Sequence, residues 1–249
     1  MRRFFVTPEN ITGSTAVLTG PEARHISSVL RLTVGTTIIL FDGSGSYYEA
    51  VLTRTSSSRA EARIVSITPH IETEMESSTA LHLAIGVPKG KKMDMIIQKT
   101  TELGIAGFHP FRSRYSAERS SSESRLSRWQ KIALEACKQC NRPKPPDLHP
   151  LVSYNDFLDE FGPADHDLKL VFWEDKEGQK SLHEIITPLG KINSVMIIIG
   201  PEGGFSAEEV NVAVNAGYEP VTLGSRILRV ETAAIAAVSI LQHELGNLE

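Results

Sequence analysis

The chain has 249 residues, with 26 basic and 30 acidic side chains, a formal net charge of −4 and 41% hydrophobic residues. This composition excludes a disordered, collagen-like or low-complexity protein. A chain of this length predicts one large or two modest domains, whose core needs no disulfide or metal ion. Pro8 and Glu9 precede any long apolar run, and no later run is long enough to cross a bilayer. We therefore predict a soluble, cytoplasmic protein.

The charges are unevenly distributed along the chain. Residues 1–85 carry 7 basic and 8 acidic side chains, residues 86–145 carry 13 and 5, and residues 146–249 carry 6 and 17. The middle block therefore has a net charge of +8 and the last block −11. Solvated helix faces would explain the middle block, and so would a phosphate-binding surface, because a basic footprint can be local in an acidic protein.

The first 70 residues have the pattern of a small β-barrel-like module. The β-branched run Thr37–Phe41, the turn at Asp42–Gly45 and the alternating run Tyr47–Arg54 predict a hairpin, and Ala60–Ile67 predicts a further strand. A short helix is expected to begin at Pro21. We assign residues 1–72 to this module and residues 73–79 to a linker.

Strand and helix patterns alternate from residue 80 to the end, which predicts a parallel α/β sheet. Gly104 and Gly217 are expected to end helices, and Ser206 with Glu209 forms a predicted capping box. The predicted strands are Leu81–Val87, Ile105–Phe111, Leu168–Trp173, Ser194–Ile199 and Pro220–Leu223. The predicted helices are Lys91–Leu103, Arg125–Gln139, Ser181–Ile186, Ser206–Ala216 and Glu231–Leu245.

The segment Ile199-Gly-Pro-Glu-Gly-Gly-Phe205 follows a buried strand and precedes a capped helix. Its glycines let the backbone turn tightly and approach a ligand, as in nucleotide-type loops of α/β proteins. Pro201 and Glu202 stand where a bound phosphate would need free amides, so the loop favours a neutral or cationic ligand. A tight turn without a ligand is the alternative interpretation.

A second glycine turn, Leu223-Gly-Ser-Arg-Ile-Leu-Arg229, follows the next predicted strand. Arg226 and Arg229 are the only basic residues after Lys191, within a strongly acidic region. Such arginines favour a bound partner, although an ion pair of Arg229 with Glu231 or Glu202 would also explain them.

Other candidate sites are weaker. Cys137 and Cys140 form a lone CxxC pair without further ligands nearby in sequence, and the eight histidines are scattered, so we predict no metal site. Ser206 lies in no GxSxG elbow, which argues against a hydrolase.

The two glycine segments together resemble the RsmE family of SPOUT-superfamily methyltransferases, which act on N3 of a uridine in 16S ribosomal RNA. Further matching segments are Val87-Pro-Lys-Gly-Lys-Lys-Met93, Gln98-Lys-Thr-Thr-Glu-Leu-Gly104, Arg128-Trp-Gln-Lys-Ile-Ala133 and His25-Ile-Ser-Ser-Val-Leu-Arg31. The resemblance implies a PUA-like N-terminal barrel, residues 80–249 as a methyltransferase domain with a C-terminal trefoil knot, and a homodimer. The last helix is apolar nearly all round, which indicates burial on several sides and favours a dimer interface, with burial within one subunit as the alternative.

The resemblance also implies that S-adenosylmethionine binds in the two glycine loops, at the carboxyl ends of the strands. The expected cofactor-binding residues are Ile199, Gly200, Pro201, Glu202, Gly203, Gly204, Leu223, Gly224, Ile227, Leu228, Arg229, Glu231 and Thr232. For the chemistry, Arg229 or Arg226 could stabilise a uracil imidate, or Glu202 could accept the N3 proton. The residues leave this choice open.

The charge split predicts that 16S RNA is gripped by the N-terminal barrel and the basic block. Tyr115, in the basic loop after a predicted strand, could stack on a base. Two other functions remain open, a non-catalytic RNA-binding ribosome-assembly factor and another α/β nucleotide-binding enzyme, although no GxGxxG is present. The expected RNA contacts are Arg2, Arg3, Arg24, Arg31, Lys89, Lys91, Arg112, Arg114 and Arg119.

Overall fold

The computed structural model describes residues 2–68, 77–116, 123–161, 166–174 and 181–248. They divide into two compact units, one drawn from Met1–Glu76 with Cys137–Pro145 and the other from Ser77–Ala136 with Pro146–Glu249. Among these residues, no helix is long and apolar enough to cross a membrane.

The first unit contains a six-stranded sheet in the order β1-β4-β5-β6-β3-β2, with β1 and β2 at its two edges. Its strands are β1 (Arg3–Phe5), β2 (Ile11–Thr12), β3 (Thr15–Thr19), β4 (Thr37–Phe41), β5 (Tyr47–Thr55) and β6 (Arg59–Thr68). The predicted hairpin is β4 and β5, joined in antiparallel register with Phe41 opposite Tyr47. The expected barrel-like module is therefore present as a half-barrel sheet, with three short strands, β1 to β3, that the sequence analysis did not predict.

The core of the first unit lies on one face of this sheet. Alternate residues of the long strands are buried there, as the period-2 pattern requires, and Phe4 and Ile26 are fully buried with them. Helix α1 (Gly20–Arg24), which continues as a π-helical turn through His25–Val29, supplies Ile26 and covers this face.

The segment Cys137–Pro145 falls within the first unit, although the sequence analysis placed it in the second domain. Lys138 makes an ion pair with Glu22, and the carbonyl of Asn141 accepts hydrogen bonds from Arg3 Nη1, at 2.8 Å, and from the Tyr47 hydroxyl. These contacts join residues more than 90 positions apart in sequence, so composition alone could not reveal them.

The second unit contains an entirely parallel seven-stranded sheet in the order β10-β8-β7-β12-β11-β13, with β9 also paired to β8. Its strands are β7 (Ala80–Gly86), β8 (Gly107–Arg112), β9 (Asp147–Leu148), β10 (Val152–Ser153), β11 (Leu168–Phe172), β12 (Ser194–Ile199) and β13 (Glu219–Val221). Its helices are α2 (Lys92–Glu102), α3 (Glu123–Cys140), which belongs to the first unit from Cys137 onward, α4 (Tyr154–Glu160), α5 (Leu182–Ile186), α6 (Ala207–Asn215) and α7 (Val230–Glu244).

Apolar clusters lie on both faces of this sheet, which explains why β11 and β12 are apolar at nearly every position. The predicted capping box is present: Ser206 Oγ accepts the Glu209 N–H at 3.2 Å, and Glu209 Oε2 accepts the Ser206 N–H at 3.0 Å. Helix α4, which the sequence analysis missed, begins with the same device at Ser153 and Asp156.

The beginning and the end of the second unit are hydrogen-bonded to each other. Asn247 Oδ1 accepts the backbone N–H and the hydroxyl of Ser78, at 3.1 and 3.2 Å. The fully buried Gln242 of α7 donates from Nε2 to Ser77 Oγ and to the Leu103 carbonyl, at 3.0 and 2.7 Å. The last helix is thereby joined both to the first residues of the unit and to the end of α2.

Candidate functional site

A pocket of about 380 Å³ lies in the second unit at the carboxyl ends of β11, β12 and β13. The strand register creates it, because Phe172 pairs with both Ile199 and Val221, so that the three strands end at the same level. Each chain segment that follows these strands then lines the pocket. This is the edge at which open parallel sheets bind ligands.

The loop after β12 forms one wall, and its path requires glycines at two close approaches. A Cβ on Gly86, the last residue of β7, would lie 2.5 Å from Pro201 Cδ, so Gly86 lets the loop cross the strand end. A Cβ on Gly203 would lie 2.7 Å from the Cβ of Tyr115, so Gly203 lets the basic loop after β8 pack against the pocket loop. Neither contact tolerates a side chain without a shift of backbone.

The turn after β13 forms the opposite wall. Gly224 has φ +94°, a backbone conformation that favours glycine, and the following residues lead to Arg229, the N-cap of α7. Ile227 lines the pocket while 86% exposed, an unusual position for an aliphatic side chain. This wall is therefore a single exposed turn that carries the apolar side chain of Ile227.

The pocket brings together most of the predicted cofactor residues. Glu231 and Thr232 are the two that do not line it; they lie in the first turn of α7, Glu231 paired to Lys92 and Thr232 exposed. The predicted residues that do line it are Ile199, Gly200, Pro201, Glu202, Gly203, Gly204, Leu223, Gly224, Ile227, Leu228 and Arg229.

Further lining residues were not predicted from the sequence. Trp173 and Glu174 directly follow β11, so the rule that ligands bind at strand ends could have found them. Lys92 comes from the first turn of α2, and no local signal connects it to the glycine loops. The other unpredicted lining residues are Phe172, Phe205, Thr222 and Ala233, whereas Ser225, Arg226 and Val230 belong to the turn at 223–230 that was expected to line the cofactor site.

Three charged side chains form a compact group at the edge of the pocket. Lys92 Nζ donates to Glu202 Oε1 at 2.9 Å and lies 3.7 Å from Glu231 Oε2. The backbone N–H of Lys89 donates to both oxygens of Glu202, at 3.0 and 3.2 Å. Burial acts to raise the pKa of Glu202, but the hydrogen bonds from Lys92 and Lys89 outweigh it and hold that pKa below its usual value.

Arg226 and Arg229 are both exposed at the pocket. Within the part of the chain that the structure describes, neither guanidinium makes an ion pair. The carboxylates considered as partners of Arg229, those of Glu202 and Glu231, pair with Lys92 instead. The ion-pair explanation for Arg229 is therefore wrong for these two partners.

The predicted RNA contacts differ in how far they are already engaged. In the first unit Arg2, Arg24 and Arg31 are exposed, whereas Arg3 Nη1 donates to the Tyr47 hydroxyl at 2.9 Å and its guanidinium lies 4.7 Å from that ring. Arg3 thus has a role inside its own unit.

In the second unit Lys89 and Lys91 are exposed and Arg112 is partly buried. The Arg114 N–H donates to Glu209 Oε1 at 2.9 Å, and Arg114 Nη1 lies 3.3 Å from Glu208 Oε2. Tyr115, next to it, is 47% exposed. Arg119 lies outside the described residues.

Four histidines that are far apart in sequence form a cluster at the opposite end of the sheet. His82 Nδ1 is 3.2 Å from His109 Nε2, the rings of His109 and His149 stack with centroids 4.0 Å apart, and the His166 ring is 4.9 Å from that of His82. Among the described residues, no group of three or more histidine, cysteine or acidic side chains has the geometry to hold a metal ion. Cys137 and Cys140 are not joined by a disulfide bond.

Comparison with protein families matches residues 75–242 to an RNA methyltransferase domain and residues 18–65 to an RNA methyltransferase PUA domain. The first match covers most of the second unit, including both walls of the pocket. The second covers most of the half-barrel sheet.

Individual relatives match along nearly the whole chain. Ribosomal RNA small subunit methyltransferase E of Bacillus subtilis is 32% identical over 98% of this chain and 97% of its own length. The crystal structure of the enzyme of that name from Neisseria gonorrhoeae, bound to S-adenosyl methionine, superposes with a TM-score of 0.85 at 36% identity, covering 98% of this chain and 97% of that one. A Legionella pneumophila structure with bound SAM gives a TM-score of 0.83 at 32% identity over 97% and 96% of the two chains.

Proposed function

The chain belongs to the ribosomal RNA small subunit methyltransferase E family, and we propose that it transfers the methyl group of S-adenosylmethionine to N3 of a uridine in 16S ribosomal RNA. The observation that carries this proposal is the pocket at the ends of three parallel strands, bounded by two glycine turns and facing two arginines that make no ion pair in the described structure.

The pocket suits S-adenosylmethionine in size and in charge. A volume of about 380 Å³ lies in the range of small-molecule sites, roughly 300–1,000 Å³. The loop at Gly200–Gly204 offers backbone polar groups beside the apolar side chains of Leu223 and Leu228, which suits an adenosine that needs hydrogen bonds at its edge. The carboxylate of Glu174 also lines the pocket and would favour the cationic parts of the molecule.

S-adenosylmethionine supplies a methyl group that is already activated by a positively charged sulfur, so the protein's main task is alignment. The carbon–sulfur bond breaks as the bond to N3 forms, and the neutral S-adenosylhomocysteine leaves. The N3 proton of uracil must also depart, because the neutral imide is a poor nucleophile. The target base must be unpaired, since N3 lies on its Watson–Crick edge.

The geometry favours Arg229 or Arg226 over Glu202 for promoting the loss of this proton. Glu202 is held by Lys92 and by the Lys89 N–H, and its lowered pKa makes it a weaker base. The two arginines make no ion pair within the described residues and face the pocket, where a positive charge lowers the energy of a uracil imidate. The proton then passes to water.

In the same proposal the RNA is held by the PUA-like module, residues 1–72, and by the basic block, with residues 73–79 as a linker. The chain forms a homodimer through the C-terminal part of residues 80–249, whose backbone is tied in a trefoil knot, and it acts in the cytoplasm. The exposed Ile240 and the partly exposed Ile235 and Ala236 of α7 support an interface on that helix.

The test is methylation of purified small ribosomal subunits with labelled S-adenosylmethionine. We expect one labelled uridine per 16S RNA and a strong reverse-transcription stop at that base, because an N3 methyl group blocks Watson–Crick pairing. A methyl group on the ribose or on C5 would contradict the proposed position. Binding of RNA without any binding of S-adenosylmethionine in a calorimetric titration would instead indicate a non-catalytic assembly factor.

A further inference from the structure

We propose that Lys92 is a positioning residue for this methyl transfer: by pairing with Glu202 and Glu231 it keeps both carboxylates away from Arg229 and leaves that guanidinium free to face the substrate. This inference rests on the proposed function. Lys92 lies at the start of α2, whereas the residues it organises follow β12 and begin α7.

The two carboxylates depend on Lys92 to different degrees. Glu202 has a second fixed partner, the backbone N–H of Lys89 at 3.0 Å. Glu231 Oε2 is a buried atom that has no hydrogen-bond partner among the described residues, where its one ion pair is with Lys92 Nζ, 3.7 Å away. Glu231 is therefore the carboxylate that loses its described ionic partner when Lys92 is removed, and an unpaired charge on a side chain that is only 17% exposed is unfavourable.

Arg229 is the cation placed to replace Lys92. It is the N-cap of α7, two residues before Glu231. The hydrogen bond to Glu202 and the charges of Glu202 and Glu231 raise the pKa of Lys92, while the positive charge of Arg229 acts in the opposite direction. All four groups therefore share one local electrostatic field.

The arrangement separates two tasks that positive charge performs at this site. Lys92 neutralises the carboxylates that anchor the loop and the helix. Arg229 then keeps its donors for a group that develops negative charge during the reaction, which is where a preorganised donor contributes most to rate. Without Lys92, the energy of Arg229 is lowest in an ion pair with Glu231, and the guanidinium turns away from the substrate.

The decisive comparison is Lys92→Met against Lys92→Met with Glu231→Gln. We expect Lys92→Met to lower kcat on small subunits at least tenfold at saturating S-adenosylmethionine, and the double variant to recover at least half of that loss on a logarithmic scale. Lys92→Arg should retain most of the activity, because a guanidinium can reach the same carboxylates. Lys99→Met is the matched control, since Lys99 lies on the same helix and pairs only with the nearby Glu102 in the described structure.

A second readout needs neither cofactor nor RNA. Phenylglyoxal modifies free guanidinium groups faster than ion-paired ones, and mass spectrometry of the peptide reports the rate at Arg229. We expect slower modification of Arg229 in Lys92→Met than in the wild type, and the wild-type rate in the double variant. Thermal denaturation of each variant shows that the fold is retained.

The outcomes are distinguishable. If the wild-type chain transfers no methyl group, the proposed function fails and this inference with it. If the wild type is active and Lys92→Met matches it in kcat, or if Arg229 reacts equally fast in all variants, the positioning role is overturned and the proposed function stands. A double variant no more active than Lys92→Met would also overturn it.

Discussion

The backbone at Gly203 packs directly on the side chain of Tyr115, so closely that an added Cβ would lie 2.7 Å from the tyrosine Cβ. The loop that lines the proposed cofactor pocket and the basic loop after β8 are therefore in contact. We expect Gly203→Ala to lower the affinity for S-adenosylmethionine at least tenfold, measured by calorimetry, because one of the two loops must shift. Gly190→Ala is the control, since a Cβ there meets nothing within 4 Å and its φ is not in the left-handed region. Equal affinity of both variants would contradict the proposed placement of the cofactor.

A base-stacking role for Tyr115 makes a separate prediction. Tyr115 is 47% exposed and stands beside the pocket loop, where a target base would approach. Stacking of one base on an aromatic ring contributes roughly 1–3 kcal/mol. Tyr115→Ala should therefore raise KM for the small subunit about 5- to 150-fold, whereas Tyr115→Phe should stay near the wild type. The affinity of Tyr115→Phe for S-adenosylmethionine is the control measurement, and we expect it to stay close to that of the wild type.

The basic loop should contribute to RNA affinity through phosphate contacts. Replacing Arg112, Arg114 and Arg119 together by alanine should weaken binding to 16S RNA and reduce the slope of log affinity against log salt by up to about one per lost contact. The exposed ion pair of Arg114 with Glu208 must break before that guanidinium can contact a phosphate. Lys191→Ala, an exposed cation of the acidic C-terminal block, is the control. If the slope of log affinity against log salt is unchanged in the triple variant, the loop does not contact RNA and its charges serve solubility.

The histidine cluster should make the second unit sensitive to acid. Burial first, and then the charges of His149, His82 and His166, lower the pKa of His109 to about 2. Below pH 6.5 the unfolded chain binds a proton at this position that the folded chain does not, so the free energy of unfolding falls by about 1.4 kcal/mol per pH unit. The contribution of His109 to the free energy of unfolding is therefore fully present above pH 6.5. It is lost progressively as the pH falls toward 2.

Replacing His109 by glutamine removes this titration. Between pH 7.5 and pH 5.5 the wild type should lose about 1 kcal/mol more unfolding free energy than His109→Gln, measured by urea denaturation at both values. His183→Gln is the reference, because His183 is exposed and lies outside the cluster. Equal losses in the wild type and in His109→Gln would show that His109 is protonated in the folded state.

Elements with strong local signals were predictable from sequence. The apolar run of β12 and the capping box of α6 each appear at the expected residues, because both signals depend on neighbours within a few positions. Strands β1 to β3 were missed because two to five residues carry little pattern of their own and are ordered by pairing with β4 and β6. The half-barrel sheet was thus predictable as a module but not in its full strand count.

The site likewise contains features that the sequence predicts and features that only tertiary packing creates. The two glycine turns were predictable, since a glycine run after a buried strand is itself the signal. The partner of Glu202 was not, because Lys92 is 110 positions away, and the two meet only because β7, the strand before α2, pairs with β12. The histidines looked scattered for the same reason: the pairing of β7 with β8 brings His82 to His109, and the pairing of β8 with β9 brings His149 to them.

The hydrogen bonds that join Ser77 and Ser78 to Gln242 and Asn247 bear on how the chain folds during synthesis. The first unit lacks only the segment Cys137–Pro145 once residue 76 has been translated, and it can close soon after that segment emerges from the ribosome. The second unit cannot, because its opening residues await partners near residue 247 and both walls of its pocket are translated after residue 198. A nascent chain can therefore present a folded RNA-binding module well before it can bind a methyl donor. On a ribosome stalled near residue 200, we expect the first unit to be folded and the second to be unfolded. Limited proteolysis of the nascent chain can distinguish the two.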